Sequence, residues 1–174
     1  MELTGRRLLV TGGAGLVGSR LAADLAADNE VVVADDLSNA ERDDVPDGVE
    51  FVEADLTDPD RVAEVVTGDL DAVFHLAAAD KYVDTDDPRS QFEVNGHMTY
   101  TILERMDEVG VDRIAYTSSS TVYGEAPRPT PEDYAPLEPI SVYGAAKLSE
   151  ESLLSVYAHS HDFTVWNFRF ANIV

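Results

Sequence analysis

The sequence predicts an α/β fold on one doubly wound parallel sheet, and three observations carry that expectation. Short apolar runs alternate with longer amphipathic ones along the chain, as strands do when helical crossovers join them. The first of these runs ends in a cluster of glycines that opens a helix. Six strand-like runs fit within the 174 residues, enough to fill one sheet in the order 3-2-1-4-5-6.

The elements follow in chain order. Arg7-Leu8-Leu9-Val10-Thr11 reads as the first strand, and a helix follows from about Leu16 to Ala27, with Leu16, Leu21 and Leu25 broadly on one side. Val31 to Ala34 is a buried strand stopped by Asp35-Asp36, and Phe51 to Ala54 is a third. Asp58-Pro59 then starts a short helix, the aspartate as N-cap and the proline at N1. Asp71 to Leu76 is the fourth strand, and Asp87-Pro88 opens a long helix to about Val109 by the same device. Arg113 to Thr117 is the fifth strand, Ser141 to about Ser160 a further helix, and Phe163 to Phe168 the sixth strand. The longest irregular stretch, about Gly124 to Ile140, holds five of the eight prolines, and an ordered loop of that length is more often functional than accidental.

Three segments carry chemistry. Thr11 to Gly18 satisfies G-x-G-x-x-G through Gly13, Gly15 and Gly18, and G-x-x-G-x-x-G through Gly12, Gly15 and Gly18. A dinucleotide needs glycine at such a turn, because the chain reverses tightly, its backbone approaches a pyrophosphate, and the new helix packs against the strand. The helix N-terminus then offers unpaired N–H groups and a partial positive charge to the anion. Leu16 and Val17 complete the turn, and Asp35, with Asp36 beside it, falls twenty residues past Gly15. That carboxylate suits the ribose hydroxyls of an adenosine. It would repel a 2′-phosphate, and no arginine follows until Arg42, so NAD is expected over NADP.

In Tyr143-Gly144-Ala145-Ala146-Lys147 the phenol and the ammonium lie four apart, on one face of a helix. A phenol has a pKa near 10, and moving it to about 7 takes roughly 4 kcal/mol from a nearby cation. Such a tyrosine serves as a general base toward a sugar hydroxyl. Thr117 to Gly124 places hydroxyls at the carboxyl end of strand five, where ligands of doubly wound sheets bind. Each segment also has a plainer reading: a glycine-rich turn, a solvated lysine beside a core tyrosine, and a Ser/Thr turn capping its own backbone.

Taken together, Thr11 to Gly18, Phe74-His75-Leu76-Ala77-Ala78, Ser118 to Gly124 and Tyr143 to Lys147 resemble the extended short-chain dehydrogenase/reductase family. Within it the likeness is to NAD-dependent nucleotide-sugar epimerases. The resemblance implies a Rossmann-type dinucleotide-binding domain over residues 1–174. It makes Tyr143 the base, Lys147 its electrostatic partner and ribose ligand, and Ser119 the hydroxyl partner that also meets substrate. It places Gly12, Gly13, Gly15, Leu16, Val17, Gly18, Asp35, Asp36, Asp55, Leu56, Leu76, Ala77, Ala78 and Asn95 around NAD, and Asn172 on the substrate. Met98 stands where the family has a glycine after the helix asparagine, and no site is assigned to the loop from Ala79 to Asp87.

The implied reaction is epimerisation at C4 of a UDP-linked sugar of the glucose/galactose type, through a 4-keto intermediate. UDP-uronate decarboxylation, sugar or alcohol dehydrogenation, and non-catalytic dinucleotide binding are the alternatives. The 4,6-dehydratases carry an acidic pair before Val-Tyr-Gly, where this chain has Ser120 and Thr121, so dehydration is not expected. The resemblance also implies a homodimer through the two long helices. Family members continue beyond the sixth strand with segments that form most of the substrate pocket. Here the substrate domain is largely absent, so cofactor binding with little or no epimerisation is expected from this length alone.

Composition sets further bounds. No cysteine is present, which excludes disulfides, a thiol nucleophile and a cysteine-built zinc site. His75 belongs to the cofactor-side motif, His159 and His161 read as surface, and no metal is expected. No apolar run approaches a membrane span and no signal-peptide pattern opens the chain, so a cytoplasmic location is expected. With 34 acidic against 12 basic side chains the formal charge is −22, which disfavours nucleic acid and anionic lipid as partners. Asp outnumbers Glu, and ten of the twelve basic residues are arginine. This form of acidity fits a halophilic protein, since at molar salt a Debye length of about 3 Å screens the self-repulsion. Thermal melting followed by circular dichroism should therefore shift upward between dilute buffer and molar KCl; an unchanged melt would contradict a salt-adapted fold.

Overall fold

The β-branched and leucine-rich runs pair as strands because alternate side chains have an apolar layer to enter on each face of the sheet. The computed structural model describes residues 3–79 and 88–173. Its strands are β1 (Arg7–Thr11), β2 (Glu30–Asp35), β3 (Glu50–Glu53), β4 (Ala72–His75), β5 (Arg113–Ser119) and β6 (Thr164–Phe170). They form one six-stranded sheet in the order β3-β2-β1-β4-β5-β6, every adjacent pair parallel. The helices are α1 (Leu16–Ala26), α2 (Pro59–Val65), α3 (Pro88–Val109) and α4 (Val142–Ser160).

Leu8, Val10, Val31, Val33 and Ala72 face α1, where they meet Ala22 and Leu25. Their neighbours Leu9, Val32, Val73, Ile114 and Tyr116 face the opposite layer, with Val62, Ile102, Leu103, Met106 and Leu154 from α2, α3 and α4. The cap expected at Asp58 is formed, its side chain accepting from the Asp60 amide, and the structure adds one at Ser141, which accepts from the Gly144 amide; such contacts are typically worth about 1 kcal/mol each. The cap expected at Asp87, and the segment 80–87 as a whole, lie outside the described residues.

Two expectations change in detail. Leu16 does not join Leu25 in the core; it is 77% exposed, because the first residue of α1 stands beyond the ends of the strands it would pack on. Strands β5 and β6 both run two residues further than predicted. The polar residues Ser118 and Ser119 pair in register with Arg169 and Phe170, so the ladder continues where composition suggested a turn. Across register, Ala115 pairs with Trp166 and Thr117 with Phe168. Trp166 and Phe168 are 37% and 49% exposed, so the sheet is less covered there than over β1 and β2.

Candidate functional site

The strand order reverses between β1 and β4, and the glycine turn leaves the sheet at that point. Gly12 has a φ of +66°, and a Cβ there would lie 2.7 Å from the backbone nitrogen of Ala77 and 2.8 Å from its Cα. A Cβ on Gly18 would collide with the Gly12 carbonyl oxygen, so α1 starts in direct contact with the turn. Gly15 is the N-cap of α1 and no side chain caps that end, which leaves backbone amides facing the sheet edge.

Around this turn lies a cavity of about 380 Å³ lined by Gly12, Gly15, Asp35, Asp36, Asp55, Leu56, Leu76, Ala77 and Ala78, among others. Asp35 accepts from the Ala14 amide at 3.0 Å and the Leu37 amide at 2.9 Å, so its carboxylate is fixed against the glycine turn. Asp36 accepts from both the amide and the hydroxyl of Ser38. Asp55 accepts from the Thr57 hydroxyl and amide, and these bonds lower its pKa below the ordinary carboxylate value.

A second cavity, of about 290 Å³, is lined by Gly12, Gly15, Leu16, Val17, Gly18, Leu76, Ala78, Ser119, Tyr143 and Lys147, with Thr117, Ser118, Phe170 and Ala171. Four residues, Gly12, Gly15, Leu76 and Ala78, line both cavities. The two therefore form one trough along the carboxyl edge of the sheet. Ser119 ends β5, and its hydroxyl accepts from the Thr121 amide at 3.2 Å and the Thr121 hydroxyl at 3.0 Å. It thus caps its own turn and keeps a proton to donate.

Lys147 is not a solvated helix lysine; it is 2% exposed. Its ammonium donates to the Tyr116 hydroxyl at 3.0 Å, lies 3.8 Å from Glu150 and stands 5.9 Å from the centre of the Tyr143 ring. Burial pushes the Lys147 pKa down while Glu150 holds it up. Burial, then the Glu150 charge, raises the Tyr116 pKa far above its usual value, so Tyr116 remains a neutral phenol. His75 is fully buried, and burial together with the Lys147 charge lowers its pKa to about 3.

The trough brings together all but three of the residues expected from sequence. Gly13 is buried, a Cβ there would lie 2.6 Å from a Val33 methyl, and it lines neither cavity; the spelling whose glycines line the trough is the one through Gly12, Gly15 and Gly18. Asn95 is buried, and its side-chain oxygen accepts from the Ala79 amide at 2.7 Å, so it tethers α3 to the exit of β4. Asn172 is exposed and lies outside both cavities. Sequence reasoning missed Tyr116 and Glu150, whose importance comes only from contact with Lys147. It also missed Ser38 and Asn39, which line the first cavity and were legible as polar residues following Asp35-Asp36. Among the described residues no group of three or more His, Cys, Asp or Glu is placed to hold a metal, and no helix is long and apolar enough to cross a membrane.

A parallel sheet of this order with a glycine turn, a terminal acidic residue on β2 and a Tyr-Lys pair in one trough defines a dinucleotide-binding domain of the extended short-chain dehydrogenase/reductase type. The chain belongs to the NAD dependent epimerase/dehydratase family, whose sequence profile matches residues 8–174. It is 37% identical over 159 residues to a UDP-glucose 4-epimerase of Streptomyces lividans, covering 89% of this chain and 48% of that protein. A crystal structure of a UDP-galactose 4-epimerase superimposes with a TM-score of 0.90 at 40% identity, covering 97% of this chain and 57% of the other. A Thermus thermophilus UDP-glucose 4-epimerase in complex with NAD superimposes with a TM-score of 0.84 at 37% identity, over 94% of this chain and 54% of the other. The chain spans about half the length of the curated relatives it matches.

The trough fits the family's cofactor on its own geometry. Gly12 leaves no room for a side chain against the exit of β4 and Gly18 leaves none between helix and turn, the start of α1 has no side-chain cap, and Asp35 is already oriented beside it. Gly12→Ala must force a side chain into left-handed backbone and against Ala77, so NAD affinity measured by calorimetry should fall at least about tenfold, a loss of roughly 1.4 kcal/mol. Acidification gives a second check. The His75 pKa is depressed in the fold, so its stabilising contribution is complete above about pH 6.5 and is lost as the pH falls toward 3. At fixed salt, His75→Gln should lose less stability than the parent between pH 7 and pH 4 in chemical denaturation.

Proposed function

We propose that this chain forms the NAD-binding half of a nucleotide-sugar epimerase that acts at C4 of a UDP-linked hexose of the glucose/galactose type. The observation that carries the reading is that Ser119, Tyr143 and Lys147 line the same trough as the glycine turn. A protein that only bound a dinucleotide would have no use for a general base there. Similarity to a UDP-glucose 4-epimerase and a UDP-galactose 4-epimerase supports the choice of reaction.

Bound NAD supplies the acceptor and donor of hydride. The chain's own residues bind, orient and move the proton. Backbone amides at the start of α1 meet the pyrophosphate, and Asp35 accepts from the adenosine ribose. Tyr143 takes the proton of the C4 hydroxyl and later returns it. Lys147 favours the phenolate through its charge and stands close enough to the trough to reach a ribose hydroxyl. Ser119, already accepting from Thr121, keeps its own proton and donates a hydrogen bond to the same sugar oxygen. Asn172, exposed beyond β6, belongs to the substrate side, and Asn95 acts on the cofactor side through the Ala79 backbone.

Serine and threonine at positions 120 and 121 supply no acid for removal of a 6-hydroxyl, which favours epimerisation over dehydration. Pairing of two copies through α3 and α4 accompanies this reading, supported by Phe92, Tyr100 and Val156, which are apolar and exposed on those helices.

The test uses the near-ultraviolet absorbance of reduced nicotinamide and a sugar-isomer assay with a panel of UDP-sugars. The chain should be assayed alone and in a form carrying the further length its relatives have. In the longer form Tyr143→Phe should lower kcat by at least about 100-fold while NAD binding persists. Turnover near that of the parent would remove Tyr143 from the role of base.

A further inference from the structure

Glu150 is 0% exposed and sits on α4 one turn beyond Lys147. Its Oε2 accepts from the Thr99 hydroxyl at 2.6 Å and lies 3.8 Å from the Lys147 ammonium. Its Oε1 is buried with no hydrogen-bond partner. A carboxylate taken wholly out of water needs a counter-charge, and Lys147 is the cation against it.

The hydrogen bonds leading to this carboxylate have one consistent direction. Thr99 donates to Glu150, so its oxygen accepts from His75 Nε2 at 3.1 Å. His75 then carries its proton on Nε2, and Nδ1 accepts from the Thr11 hydroxyl at 2.7 Å. The Thr11 oxygen accepts in turn from the amides of Leu76 and Ala77 at 3.2 and 3.3 Å. Leu76 and Ala77 line the trough. A buried chain of donors thus runs from the trough wall through β1, β4 and α3 and ends on Glu150, which as a carboxylate only accepts.

We propose that Glu150 is a positioning residue: its carboxylate, anchored by the Thr11–His75–Thr99 chain, holds Lys147 as an ammonium between Tyr116 and the trough. Desolvation acts on Lys147 in the opposite sense and would release its proton inside the fold. The titratable groups facing the pair are His75 on β4, Tyr116 on β5, and Tyr143 and Glu151 on α4. His75 is neutral, Tyr116 stays protonated and Glu151 is paired with Arg169, which leaves Glu150 as the carboxylate that balances Lys147, with Tyr143 the group beside its charge. The inference rests on the proposed role of Lys147 beside Tyr143, and its test reads the charge of Lys147 without any turnover.

The sequence has only two lysines, Lys81 and Lys147, so the chain labelled with ¹³Cε-lysine gives two side-chain signals, assigned with Lys81→Arg. In the parent chain Lys147 should hold the ammonium shift at pH 7. Glu150→Gln, which keeps shape and removes charge, should lower its titration midpoint by about one pH unit or more. Thr99→Val keeps the carboxylate but removes its anchor and should move the midpoint the same way by less. It decides the matter where Glu150→Gln fails to give a folded amide spectrum. A neutral Lys147 at pH 7 in the parent, or an unmoved midpoint in a folded variant, overturns the proposal. Loss of epimerase activity in a longer form with Lys147 behaving as expected would refute the functional reading and leave this inference standing.

Discussion

The contact between Gly12 and Ala77 is the constraint on which the site depends. It occurs where β1 and β4, neighbours in the sheet, send their chains to opposite sides. A doubly wound sheet opens a crevice at such a reversal, but its depth depends on how closely the two exits approach. Here the β1 exit touches the β4 backbone, and α1 begins against the same turn. The α1 amides and the Leu76–Ala78 wall are thereby held on one trough, and Thr11 fixes that wall from beneath through the Leu76 and Ala77 amides.

A second set of contacts holds the other side of the trough. Arg169 on β6 grips Glu151 of α4 with two nitrogens at 2.9 and 2.7 Å, and Ser118 donates to the same carboxylate. The remaining arm of Arg169 reaches the Tyr123 hydroxyl at 3.1 Å and the Glu132 carbonyl at 3.2 Å. Two-point pairing of a guanidinium with a carboxylate fixes orientation as well as distance. Strand β6, the turn after Ser119, the helix bearing Tyr143 and the proline-rich loop are therefore tied to one cation. The long loop read from sequence as functional is anchored by its backbone, at Glu132.

The sheet was legible because its determinants are local: apolar runs of strand length, proline and aspartate at helix starts, and glycines at one turn. Its order followed from chain connectivity and handedness rules. What escaped the sequence depends on contacts between distant residues. Choosing Gly12 over Gly13 needs the position of Ala77, sixty-five residues away. The extra length of β5 was hidden because serine has no strand signature until Arg169 pairs beside it. The Tyr143–Lys147 spacing was visible, yet the hydrogen-bond partner of Lys147 is Tyr116, which the sequence offers only as one residue of the fifth strand.

The electrostatics of the trough explain how so acidic a chain can accept an anionic cofactor. Among the described residues lining the two cavities, Lys147 is the one cationic side chain, while Asp35, Asp36 and Asp55 are present. Lys147 is already engaged with Tyr116 and Glu150, so it leaves most of a pyrophosphate's charge to other groups. The work falls to fixed dipoles, the uncapped amides at the start of α1, which need no mobile side chain and act over one helical turn. Long-range repulsion from a charge of −22 still opposes the approach of an anion, and it is screened within about 10 Å at 0.1 M salt and about 3 Å at 1 M. Contacts made inside the trough are partly buried and are screened much less than charges on the open surface. A site built from backbone amides thus lets an acidic chain meet an anion by direct hydrogen bonds rather than by a cluster of basic side chains.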